Sequence, residues 1–220
     1  MPTLSPLSKK KITPPKDNFR IAIFGSSRIK KDDNIYNQVF SLAEKIGNHD
    51  FDLVTGGGAG LMEAASAGHF KGSKDISTQT IGLTVKLPYE KEPNKYLEIK
   101  KHFDRFSERL DTFMTLSNVV VVYPGGIGTC LEFFYAWQLT QVKHICNNPI
   151  ILVGEMWPEL MEWITKWQLD KGLISTNDLK NIHLAKNNDE AMEIIIKVHE
   201  LYEKLGDSFC LNWKKYKLTQ

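Results

Sequence analysis

Residues 119–123 are five consecutive apolar or aromatic side chains, VVVVY, and they run straight into Pro124 and three glycines within four residues, Gly125, Gly126 and Gly128. A strand with one face in water alternates apolar and polar residues. An unbroken apolar run of this length is a strand covered on both faces, which belongs to a parallel sheet with helices above and below it. The motif of a short strand running into small residues recurs at "FRIAIFGSS" (19–27) and "FDLVTGGGAG" (51–60), with further apolar strands at "TIGLTV" (80–85) and "PIILVG" (149–154).

Helical periods lie between them. Ile35, Val39, Leu42 and Ile46 share a face in 34–47, with Gly47 placed to cap it, and "LMEAASAGHFKG" (61–72) reads as a helix rich in small residues. Residues 105–117 and Thr129 to about His144 give two more, and 157–172 puts Leu160, Trp163, Ile164 and Trp167 on one face, as core or subunit interface. The polar stretch 86–103, with two prolines, reads as a long loop entering a short strand; 181–185 and 188–205 read as a last strand and a closing helix. Strand and helix alternate throughout, so the expected fold is α/β: a doubly wound, Rossmann-like, mostly parallel sheet with helices on both faces. Residues 19–205 read as one nucleotide-binding domain, preceded by a Lys- and Pro-rich basic tail (1–18) and followed by a C-terminal extension (206–220).

Composition narrows the classes of function. The formal charge of +2 is too small to argue for nucleic acid. No apolar run approaches the ~20 residues of a membrane helix. Cys130, Cys146 and Cys210 are widely spaced and form no CxxC pair. That pattern points to a reducing, cytoplasmic setting and away from a disulfide framework or a zinc knuckle, and no metal or cofactor is expected.

In an open parallel sheet, ligands bind beyond the carboxyl ends of the strands. Three strands end in small-residue corners: "FGSSR" (24–28), "TGGGAG" (55–60) and "YPGGIGT" (123–129). Glycine lets a ligand approach the backbone, and a following helix offers unpaired N–H groups and partial positive charge. Together these make an anion site, most simply for a phosphate. No corner carries the GK[ST] of a Walker loop or a full GxGxxG, so ATP hydrolysis and ordinary NAD chemistry are disfavoured.

Two ionisable residues stand near the third corner. Thr129 and Glu132 spell T-x-x-E, which is a capping box if the helix begins at Thr129. Otherwise Glu132 is a carboxylate one turn above a phosphate, able to order ribose hydroxyls, activate water or stabilise positive charge on a sugar. Arg109 falls on the flank of the buried stripe of its helix, between Phe113 and Leu116. A cation drawn inward needs an anionic partner: a structural ion pair, or the ligand that Glu132 meets. Cys130 reads as an apolar contact. Glu63, His69 and His102 lie near the corners, with structural readings preferred.

The run Pro124-Gly125-Gly126-Ile127-Gly128-Thr129-Cys130-Leu131-Glu132 resembles the PGGxGTxxE motif of the LOG ("Lonely Guy") family of cytokinin riboside 5'-monophosphate phosphoribohydrolases and bacterial nucleotide nucleosidases, often labelled "lysine decarboxylase". Arg109 in "SERLDTF" matches the family's upstream arginine, and the resemblance runs from about Phe19 to Trp167. It departs at the second corner, "GGGAGLME", and at Leu131, where many members carry an acid; both points lead away from a cytokinin substrate.

The resemblance implies hydrolysis of the N-glycosidic bond of a nucleoside 5'-monophosphate. Phosphate would lie on Gly125, Gly126, Gly128 and Thr129 with help from Gly57 and Gly58. Ser26 and Ser27 would contact ribose or base, and Glu132 and Arg109 would act as catalytic residues. It further implies a homo-oligomer. The rival is a non-catalytic nucleotide or molybdenum-cofactor carrier of similar fold, which does not require the Arg109 and Glu132 pair. Lysine decarboxylation would need an identifiable buried lysine for a Schiff base, and the sequence offers none.

Overall fold

The computed structural model describes residues 18–74, 78–85 and 92–215, without the side chain of Trp213. The basic tail before Asn18 and residues 86–91 of the polar loop lie outside the described residues. Seven strands, β1 (Arg20–Phe24), β2 (Asp52–Thr55), β3 (Thr80–Val85), β4 (Ile99–Phe103), β5 (Val119–Val122), β6 (Ile150–Val153) and β7 (Ile182–Ala185), form one sheet in the order β4-β3-β2-β1-β5-β6-β7. Every neighbouring pair is parallel. The helices are α1 (Asn34–Asn48), α2 (Leu61–Gly72), α3 (Phe106–Leu116), α4 (Ile127–Gln141), α5 (Met156–Ile164), α6 (Asn188–Leu205) and the short α7 (Asn212–Lys215). The fold is the expected Rossmann-like α/β sheet.

Successive strand residues face opposite sides, and each side has its own core. Ile21, Ile23, Val119 and Val121 pack under α1, α2 and α6. Ala22, Phe24, Val120 and Val122 pack under α3, α4 and α5. This is why Ile21–Phe24 and all of β5 are apolar, while Arg20 at the start of β1 is buried against Asp52 at 3.2 Å. The chain builds outward from β1 to β4, returns to β5 beside β1, and builds the other way to β7.

Small residues let α1 and α2 cross backbone against backbone. A Cβ on Gly68 would meet the Phe40 carbonyl oxygen at 2.1 Å, and one on Gly72 the Glu44 carbonyl oxygen at 2.1 Å. Gly47 belongs to this crossing, 2.6 Å from the His69 carbonyl oxygen by the same construction, and does not cap α1. The left-handed residue after α1 is Asp50, at φ 57°.

Two helices differ from expectation. Trp163 and Trp167 are about half exposed, at 52% and 48%, so they lie outside the core and stay open to a subunit interface. The buried stripe of α5 is Trp157, Leu160, Met161 and Ile164, and a π-helical turn over Thr165–Leu169 ends its regular period. Helix α4 begins at Ile127, two residues before Thr129, and ends at Gln141.

Cys146 and Cys210 are joined in a disulfide. Spacing along the chain could not show this, because only the folded C-terminal segment brings residue 210 to the loop after α4. There Asn212, 3% exposed, donates to the Met114 and Ser117 carbonyls at 2.8 and 2.9 Å and accepts from the Cys146 N–H at 2.8 Å.

His69 is fully buried, with Nε2 2.7 Å from the Phe51 carbonyl and Nδ1 2.7 Å from the Thr80 hydroxyl. A carbonyl can only accept, so Nε2 carries the proton and Nδ1 accepts from Thr80 in the neutral ring. Burial lowers the pKa of His69 below its ordinary 6.5, and burial acts the same way on His183 and His199. The unfolded chain therefore takes up protons first. The stability contributed is complete above about pH 6.5 and is lost as pH falls below that value. The melting temperature should hold steady between about pH 8 and 7 and fall steadily from about pH 6.5 to 5. His69→Gln should melt lower throughout but with a shallower pH slope, both measured by circular dichroism.

Candidate active site

Strands β2, β1 and β5 are neighbours, so their three corners meet at one end of the sheet. The Ser26 N–H donates to the Pro124 carbonyl at 3.2 Å, and the Ser26 carbonyl accepts from the Leu61 N–H at 2.9 Å. One residue of the first corner thereby ties the other two together. A Cβ on Gly60, at φ 65°, would lie 2.5 Å from the Ser26 carbonyl oxygen, so this close approach needs glycine.

A cavity of about 490 Å³ opens where the order reverses between β1 and β5. Ser26, Ser27, Arg109, Gly126, Gly128, Thr129 and Glu132, all expected at the site, line it together. No described side chain caps α4. The N–H groups of Ile127, Gly128 and Thr129 have no partner within the helix and present partial positive charge to an anion.

The glycines of this corner differ in what they do. A Cβ on Gly125 would strike Thr129 Oγ1 at 2.1 Å, so packing requires that glycine. Cβ atoms on Gly126 and Gly128 would meet nothing within 4 Å. Neither has a positive φ. The fold does not impose them, and the space they leave belongs to the cavity.

Arg109 rises from α3, 7% exposed. Its Nε donates to the Leu83 carbonyl at 2.7 Å, its guanidinium lies 5.1 Å from the Phe113 ring centre, and Nη1 reaches Glu132 Oε1 at 3.3 Å. Both side chains are largely buried, at 9% and 13% exposure. With α4 starting at Ile127, Glu132 lies in the second turn, and its carboxylate pairs with Arg109. The capping-box alternative fails because Thr129 is inside the helix. The pair is a charge-assisted contact, and carboxylate oxygens are acceptors for hydroxyls or water.

The second corner takes part from behind. Gly57 and Gly58 do not line the cavity. The Gly57 N–H donates to Thr55 Oγ1 at 3.1 Å, and Asn94 donates from Nδ2 to the carbonyls of Gly57 and Gly58 at 3.1 Å each. Gly56 is the residue that opens room, since a Cβ there would sit 2.4 Å from Arg109 Nη2. Glu63 pairs with Lys31 at 2.9 Å, and His69 and His102 lie away from the cavity. Arg28 and Phe106 do line it, although the sequence reading gave Arg28 no role beyond closing the first corner and placed Phe106 on the buried face of its helix, where it is in fact 44% exposed. The signal for Arg28 was its place directly after the first serine corner. Among the described residues, no group of three His, Cys, Asp or Glu is arranged to hold a metal ion, and no helix is long and apolar enough to cross a membrane.

The family model described as "Possible lysine decarboxylase" matches residues 62–195. The chain belongs to this family, the LOG family. The LOG chain is 25% identical over 210 residues to a pyrimidine/purine nucleotide 5'-monophosphate nucleosidase of Escherichia coli K12, a match over 88% of this chain and 44% of that relative. It thus spans under half the length of the curated relatives it matches. The molybdenum cofactor carrier protein of Chlamydomonas reinhardtii superposes with a TM-score of 0.64 at 21% identity, over 84% of this chain and 99% of that one. The molybdenum cofactor binding protein of Rippkaea orientalis gives 0.64 at 19% identity, with the same coverage. These likenesses establish the fold.

The glycine geometry separates packing from ligand space. Gly126→Ala and Gly128→Ala should melt within a few degrees of the parent, yet show a smaller thermal shift with AMP. Gly125→Ala should lose about 1–3 kcal/mol of stability because Thr129 must move. Denaturant unfolding and AMP-dependent melting measure both.

Proposed function

We propose that this chain hydrolyses the N-glycosidic bond of a nucleoside 5'-monophosphate to free base and ribose 5-phosphate. The observation that carries the reading is the paired carboxylate of Glu132 above an uncapped helix start whose glycines leave open space. Glu132 stands five residues into α4, about 7.5 Å along its axis from Ile127. That rise is comparable to the reach from a 5'-phosphate across a ribose ring.

The phosphate lies on the N–H groups around Gly126, Gly128 and Thr129, with Gly125 fixing Thr129 beneath it. Gly57 and Gly58 support the site through the Asn94-held second corner. Ser26 and Ser27 meet ribose or base, and Phe106 and Leu110 offer the base an apolar wall. Glu132 binds the ribose hydroxyls or takes a proton from water as it adds to C1', and its negative charge stabilises the oxocarbenium-like transition state. Arg109 orients Glu132 and assists departure of the base, which leaves with a proton. Among the described residues no lysine lines the cavity, which favours this hydrolysis over a Schiff-base decarboxylation.

The second reading is a carrier of a phosphorylated cofactor, favoured by the structural likeness to the carrier proteins. The homo-oligomer implied by the family resemblance belongs to the proposal and is tested by the elution volume of the chain.

Ribose 5-phosphate release from AMP, GMP, CMP and UMP decides between the readings. The parent should turn over at least one of them, and Glu132→Gln and Arg109→Ala should each lose about 100-fold or more. Tight binding of every monophosphate with no release in the parent would move the chain to the carrier class.

A further inference from the structure

We propose that Arg28 reads the charge of the substrate phosphate and makes the cavity selective for the 5'-monophosphate over the uncharged nucleoside. The inference rests on the nucleotide reading above and adds the residue that sets its phosphate preference.

The argument is one of charge. A phosphate monoester carries about −1.5 to −2 at neutral pH. The start of α4 supplies only roughly half a positive charge. Arg109 cannot make up the difference. It donates to Leu83, lies over Phe113 and pairs with Glu132, so the two side chains together are close to neutral. Ser26, Ser27 and Thr129 are uncharged. A dianion brought into this cavity would lack more than one unit of compensating charge, and desolvating an uncompensated anion is costly.

Among the described residues, Arg28 is the other cation lining the cavity. Among the described residues no carboxylate forms an ion pair with it. Nearby Lys31 is held by Glu63 and does not line the cavity. The backbone of Arg28 is fixed by its N–H, which donates to Ser26 Oγ at 3.1 Å, and the same Ser26 is bonded to Pro124 just before the third corner. The root of Arg28 is thus set on the wall of the first corner, beside the start of α4. Its planar fork of N–H donors suits two phosphate oxygens at once. Arg28 is exposed, so its replacement removes little buried packing.

The test compares parent, Arg28→Gln and Arg28→Lys in two assays. In the first, AMP and adenosine are used as substrates. Arg28→Gln should raise KM for AMP about 10- to 100-fold with kcat nearly unchanged, and should shrink the preference for AMP over adenosine. Arg28→Lys should recover part of the loss. In the second, ribose 5-phosphate and inorganic phosphate are titrated by calorimetry, and both affinities should fall in Arg28→Gln. A parent that binds ribose 5-phosphate but cleaves no nucleotide sinks the nucleosidase reading, and the calorimetric arm still scores Arg28. Unchanged KM and unchanged ribose 5-phosphate affinity in Arg28→Gln, at unchanged melting temperature, would overturn the proposal. So would a fall in kcat alone.

Discussion

The pairing of β5 alongside β1, with Ile21 opposite Val119 and Phe24 opposite Val122, is the contact on which the rest of the molecule depends. Right-handed crossovers place the helices of an outward-built sheet on one face and, once the direction reverses, on the other. Hence α1 and α2 cover one side and α4 and α5 the other. The loops leaving β1 and β5 then part to opposite faces, and a crevice must open between them. Nothing else in the chain needs to be arranged for a cavity to exist there. What the sequence adds is its chemistry.

That chemistry involves an energetic concession. Arg109 and Glu132 are both withdrawn from water, and burying two ions recovers little unless their remaining donors and acceptors are satisfied. The Leu83 carbonyl and the Phe113 ring engage the guanidinium from the sheet side, which leaves the Glu132 contact facing the cavity. A pair serving stability alone could be replaced by apolar side chains at little cost. Its position on the floor of a crevice, above an uncapped helix start, gives a reason for keeping it.

Much of this was legible in the sequence. The continuous apolar runs declared a doubly covered parallel sheet, and three small-residue corners declared which end of it mattered. The open space at Gly126 and Gly128 could not be told from the packing demand at Gly125, because the difference lies in whether Thr129 stands 2.1 Å away or nothing does. The capping-box reading of Glu132 rested on a helix start misplaced by two residues, an error that local pattern cannot correct. The Cys146–Cys210 bridge and the Asn212 contacts join segments more than sixty residues apart in sequence, beyond the reach of spacing rules. Trp163 sits in regular helix but off the stripe made by Trp157, Leu160, Met161 and Ile164, and only Trp167 falls in the π-helical turn over Thr165–Leu169, a break that apolar spacing does not announce.

The α1–α2 crossing bears on how variation in this chain is to be understood. At Gly68 and Gly72 the obstruction is the backbone of the neighbouring helix, which has no rotamer to change. Homologous sequences can vary freely around these positions and still hold them fixed, much as they would hold Gly126 and Gly128. Invariance at the first pair would record a distance between two helix axes. Invariance at the second, on the function proposed above, would record the shape of a visiting molecule. Sequence constancy alone would merge the two, and a map of the active site drawn from it would extend to the opposite face of the sheet.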